Sequence, residues 1–228
     1  MNTALETRAV TISLGSLLLG YPEQDFQLRL MDLGLLAQQL GGLDGKPDFF
    51  TRLEDAALDD VRSSYFEAFE HRGANPLHES SWGQGQGPGR GVLLADVAAF
   101  YQAFGLQVSP TGGEMLDHAG VQLEFYAVLL VKQAVLDQQG NAEGSAIVAA
   151  ARRSFLKDHL APLLFAAAGS DAAVTDPQWQ QVVTWVRDVI TKECALEDVT
   201  TTAHGRFSLE PEGETMNCPE NVKLPVLQ

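Results

Sequence analysis

Residues 75–91 read NPLHESSWGQGQGPGRG, with glycines at five alternating positions (Gly83, Gly85, Gly87, Gly89, Gly91) behind a glutamate, two serines and a tryptophan. Backbone amides converge on a phosphate only where glycine lets the chain turn left-handed or approach closely. The spacings that achieve this are G-x-G-x-x-G and G-x-x-x-x-G-K-S/T, and this run holds neither: Gly85 and Gly87 are followed by Arg90, Gly83 and Gly85 by Pro88, and no lysine stands where a phosphate loop needs one. The run reads as a flexible connector. The five histidines (His71, His78, His118, His159, His204) are scattered, and neither G-x-S-x-G nor H-E-x-x-H occurs. Glu67 with His71 and Glu114 with His118 are spaced by four, where a di-iron bundle uses Glu-x-x-His. Cys194 and Cys218 form no C-x-x-C and have no histidine at zinc-site spacing, which suggests a reducing compartment. Catalytic chemistry is hard to assemble from these residues, and no metal or cofactor site is indicated.

Two stretches carry more polar chemistry than a plain helical core requires. In SSYFEAFEHRGANPLHESSW, a helix presenting Tyr65 and Phe69 runs into a loop with Pro76, His78, Glu79, Ser80 and Trp82. In LDHAGVQLEFY, Asp117 and His118 are expected one turn inside a long helix, with Glu124 on the same face as Asp117. The plainer assignment makes Asp117 a complement to the helix dipole and His118 a satisfied histidine.

Apolar spacing is helical almost throughout, with no sustained alternation of period two. It predicts an all-α, single-domain bundle of about seven helices over residues 1–196, then an extended or mobile tail over 197–228. The helices are expected at 3–19, 23–40, 52–71, from about 93 to 104, 113–139, 143–168 with a kink at Pro162, and 177–196. The fifth should be central, and the seventh should open on Asp176-Pro177 and bury Trp179, Val182, Val183, Val186 and Ile190.

The chain has 228 residues and 45% hydrophobic content, enough for a substantial core. Lys and Arg total 15 against 30 Asp and Glu, a net charge of −15 that disfavours nucleic acid and anionic membrane and suits a basic partner. The apolar stretch AVTISLGSLLLG at residues 9–20 is too short to span a bilayer and lacks a positive flank, so it is read as a mature first helix and the protein as cytoplasmic.

Four segments, in order, carry a resemblance: LGSLLLGYPEQDF, YFEAFEHRGANPLHESSW, LDHAGVQLEFYAVLL and FLKDHLAPLLFAAAG. Together they resemble the TorD/DmsD/NarJ family of all-helical chaperones that mature molybdenum-containing oxidoreductases, over roughly residues 10–196. The resemblance implies a dedicated, non-catalytic chaperone that holds the apo catalytic subunit of a molybdenum oxidoreductase, through an N-terminal or twin-arginine segment, until its cofactor is inserted. It is expected to act as a monomer or weak dimer. On that reading Tyr65, Phe69 and Trp82 line a groove for an apolar run while Glu79, Asp117 and Glu124 meet its basic end, and Pro76, His78, Ser80 and His118 belong to the same partner-binding set. Two alternatives stand beside it: an enzyme or nucleotide-binding switch using the glycine run with Arg90 toward phosphate, and a helical adaptor whose acidic face binds a basic protein.

Overall fold

The computed structural model describes residues 3–43, 45–70, 75–83, 89–107, 115–169, 174 and 176–205. Among these, all regular structure is helical apart from a single antiparallel bridge between His78 and His118. Gly85 and Gly87, His71, Glu114 and residues 206–228 lie outside the described residues.

Two helices form the centre: α1 (Thr3–Leu19) and α6 (Ala119–Gln138) pack along each other. Helix α1 buries Leu5, Ala9, Ile12, Leu14, Leu18 and Leu19, and α6 buries Leu123, Tyr126, Leu130 and Ala134. A close approach sets the crossing. A Cβ on Gly120 would lie 3.2 Å from Gly20 N and 3.3 Å from Gly20 Cα, so any side chain there would have to push the end of α1 back by a few tenths of an ångström. Ser16 Oγ donates to Gly120 O across the same point at 2.8 Å. By length and composition α6 could cross a membrane, but more than half of it is buried inside the bundle.

Helix α2 (Phe26–Gln39) lies against α1 on its other side and presents Phe26, Leu30 and Ala37 inward. The helix expected at 52–71 is two, α3 (Asp48–Asp55) and α4 (Leu58–Phe69). Ala56 and Ala57 between them are extended, with ψ of 151° and 139°. Alanine favours helix, so propensity does not make this break. Packing does: α3 sets Phe50 edge-on against Trp185, 5.5 Å between centroids, whereas α4 turns Tyr65 and Phe69 onto Trp179 at 5.3 and 5.4 Å. One straight helix could not serve both tryptophans.

Helix α5 (Arg90–Ala103) buries Val97 and Tyr101, and α7 (Ala142–Phe155) runs antiparallel beside α6. The expected kink at Pro162 takes the form of a π turn over Leu156–Leu160, followed by α8 (Ala161–Ala167). Proline supplies no amide for the i→i−4 ladder, and a widened turn absorbs the missing bond. His159, within this turn, is buried. Helix α9 (Pro177–Leu196) starts as its sequence dictates, Asp176 Oδ1 accepting from the Gln178 and Trp179 amides at 2.9 Å, and it buries Trp179, Val182, Val183, Val186 and Ile190.

A polar knot closes the far end of the bundle. Arg8 donates to both oxygens of Glu193, Tyr126 Oη donates to Glu193 Oε2 at 2.9 Å, and Arg152 Nη1 reaches Glu197 Oε1 at 2.8 Å. It ties α1, α6, α7 and α9 together. Beyond α9, residues 199–205 run without regular structure back across the body.

Candidate functional site

The loop 75–82 and the turn 115–118 lie side by side, joined by Glu79 N to Asp117 O at 3.0 Å and Ala119 N to Leu77 O at 2.7 Å. Pro76 and Trp82 close the loop on itself, because Trp82 Nε1 donates to Pro76 O at 3.0 Å while Glu79–Ser81 winds into one 3-10 turn. Tyr101 of α5 clamps the opposite turn, donating to Leu116 O at 2.8 Å.

Asp117 and His118 stand just before α6 and not one turn inside it, as the spacing had suggested. The break follows from what they bind. His118 is the N-cap: its Nδ1 accepts from Gly120 N at 3.1 Å, which puts the ring proton on Nε2, facing Tyr65 Oη at 3.5 Å. Tyr65 Oη in turn donates to Leu19 O at 2.8 Å. Asp117 has no exposed side-chain surface; its Oδ2 accepts from Ser80 N at 2.9 Å and its Oδ1 lies 3.4 Å from His78 Nδ1. Burial works to raise the Asp117 pKa, but bonds from His78 and Ser80 outweigh it and hold the carboxyl well below the usual range.

Glu79 is the second buried carboxylate, with a side chain 1% exposed. Its Oε2 accepts from Gln122 Nε2 at 2.6 Å, and its Oε1 faces two imidazoles, His159 Nδ1 at 3.1 Å and His204 Nε2 at 3.2 Å. Burial opposes ionisation here too, yet the two histidines and Gln122 keep the pKa below the ordinary value. For His159 burial favours the neutral ring, but Glu79 outweighs it and raises the pKa, helped by Asp96, whose Oδ2 is 3.2 Å from His159 Nε2. The arrangement is a charged, hydrogen-bonded knot inside the protein.

The expected site residues therefore divide. Tyr65, Phe69, Pro76, Glu79, Ser80, Trp82, Asp117 and His118 are all buried, and His78 half-buried, so they do not line an open groove. Tyr65 and Phe69 belong to the aromatic cluster around Trp179. Glu124 is exposed and stands elsewhere, in an open pocket of about 250 Å³ lined by Leu17, Gly20, Tyr21, Glu23, Arg29 and Val121 among others. Arg90, the cation of the nucleotide alternative, rests against Met115 Sδ at 3.6 Å. Gln122, His159 and His204 were absent from the expected site. His159 had a signal, since the proline three residues on disturbs the helix register around it; His204 had none, standing in a stretch without periodicity.

The model of a family described as nitrate reductase delta subunit matches residues 31–167, a span that includes the loop, the His118 cap and His159 but not His204. Among solved structures, a chain described as a redox enzyme maturation protein from Archaeoglobus fulgidus is similar at 16% identity and a TM-score of 0.47, over 80% of this chain and 93% of that one. No curated protein matches the sequence significantly.

Proposed function

Because the chain belongs to the nitrate reductase delta subunit family, chaperones of the TorD/DmsD/NarJ type, we propose that it holds the cofactor-free catalytic subunit of a molybdopterin-containing oxidoreductase until its cofactor is in place. The role is non-catalytic and cytoplasmic, and the chain works as a monomer or weak dimer. The contact is a segment of the client with a basic end and an apolar run, as in an N-terminal or twin-arginine segment.

One observation carries this reading to a surface: the pocket where the end of α1 meets the start of α6. Leu17 and Val121 give it apolar walls, Glu23 and Glu124 give it carboxylates, and Tyr21 stands at its edge half-exposed. An apolar side chain can settle between the walls while a guanidinium meets a carboxylate. Among the described residues, Arg29 in the lining and Arg62 over the Tyr21 ring, 5.9 Å from its centroid, set where a basic residue will not sit. Within this proposal Asp117, His118, Ser80, Pro76 and Trp82 are positioning residues, since the His118 cap and the Gly20–Gly120 approach fix the start of α6 and hence the pocket. Exposed Leu28, Met31 and Leu35 form an apolar stripe on α2 that gives a large client further surface.

The test is titration with a synthetic peptide bearing two adjacent arginines ahead of a leucine-rich run. Glu23→Arg and Glu124→Arg should each weaken binding about tenfold or more, the loss of one charge-assisted contact plus a new repulsion. Unchanged affinity in both variants would move the client contact away from this pocket.

A further inference from the structure

Glu79 Oε1 is shared by two imidazoles of different standing. His159 is built into the helical body, whereas His204 sits on the irregular segment that follows α9 and is 27% exposed. That segment is held by Thr201 Oγ1 donating to Lys157 O, His204 N to Pro162 O, and Gly83 N to Gly205 O, while Thr202, Ala203 and Gly205 are exposed. Val199 packs against the core at its near end. Residues 199–205 thus lie over a buried, ionised carboxylate and touch the loop exactly where the glycine run begins.

We propose that residues 199–205 are a displaceable strap, in which His204 occupies on Glu79 the place that a cationic side chain of the client takes in the complex. The inference rests on the chaperone reading above and adds to it a second cation site and the device that guards it. A buried carboxylate that loses a partner is costly, so the strap does not lift unaided. An uncharged segment cannot replace His204 for the same reason. An arginine or lysine can, because a guanidinium or ammonium restores the lost hydrogen bond and brings a full charge to a carboxylate that His159 and Gln122 still hold in place. Both sites border the first turns of α6, which carry Gln122 on the Glu79 side and Gly120, Val121 and Glu124 on the pocket side. The strap therefore makes tight capture conditional on positive charge, and its return supplies a route to release.

Hydrogen exchange of the full-length protein, read at residues 199–205, tests this with the diarginine peptide and a counterpart in which both arginines are glutamine. The arginine peptide should deprotect the strap, and the glutamine peptide should not. His204→Ala should raise strap exchange without peptide and tighten the arginine peptide several-fold, because displacement no longer opposes binding. Thr201→Val, which leaves Glu79 and its partners untouched, should act in the same direction more weakly. Binding of the arginine peptide with strap protection unchanged, or no tightening in either variant, overturns the strap while leaving the chaperone reading intact. Absence of binding by either peptide overturns both.

Discussion

Asp117 accepts a backbone amide and faces a histidine with no side-chain surface left for a partner, so its charge serves the fold. Asp117 is expected from the family resemblance to meet, with Glu79, the basic end of a client; its burial moves the expected effect of Asp117→Asn from client binding to stability. Asp117→Asn should lower unfolding free energy by about 1.5–3 kcal/mol, the range for a lost hydrogen bond to a buried charge, measurable by urea denaturation. Peptide affinity of the folded variant should hold. The same chemistry gives a pH profile. Asp117 and Glu79 have depressed pKa values, so their contribution is complete above the ordinary carboxylate range and is lost as pH falls through and below it. His159 is raised above 6.5, so its contribution is complete below that pH and fades as pH climbs through the elevated value. Stability should peak between these limits, and His159→Gln should flatten the alkaline decline and also weaken the acid one, because Glu79 loses the imidazole that does most to hold its pKa down while the share of Asp117 remains. Melting temperatures across pH 3–10 check both arms. The residue types of this knot were legible in the chain, since Glu79, Asp117, His78 and His118 all stood out. Their burial was not, because a charged side chain is placed inside only by partners that other segments bring.

Helices α1 and α6 meet at two glycines, and the meeting is testable by adding one methyl group. Gly120→Ala would press a Cβ against Gly20 backbone atoms and the His118 ring, none of which can swing aside, and should cost about 1–3 kcal/mol by overpacking. Gly34→Ala is the counter-experiment: it sits inside α2 with nothing within 4 Å of the new Cβ, so it should add roughly 0.5–1 kcal/mol. Thermal melts of the two variants should move in opposite directions. Most elements followed from local pattern, and α9 did so to its N-cap, because a capping aspartate, a first-turn proline and a 3-4 apolar stripe are all written within a few residues. The α3–α4 break was hidden behind two alanines, and the late start of α6 behind a histidine whose capping role depends on its contacts. Both boundaries are set by what the flanking side chains pack against.

A chain of net charge −15 should draw a basic segment from a distance and lose that attraction in salt. Affinity for the diarginine peptide should fall several-fold between about 0.05 and 0.5 M ionic strength, as the Debye length contracts below the span of the surface charges. The diglutamine counterpart should be nearly indifferent, and an equal response of both peptides would remove charge from the account of recognition. Helical class, the central place of α6 and the buried stripe of α9 could all be read from the chain, because side chains three and four apart share a face whatever else the molecule does. The acidic balance was likewise a matter of counting. The knot at Glu79 could not be read, since it joins residues 80 and 125 positions apart. No local spacing links Glu79 to His159 or His204. Their meeting is settled by how α5, α6 and the π turn before α8 pack, by the burial that makes an unpaired carboxylate costly, and by the return of the segment after α9 across the loop it covers.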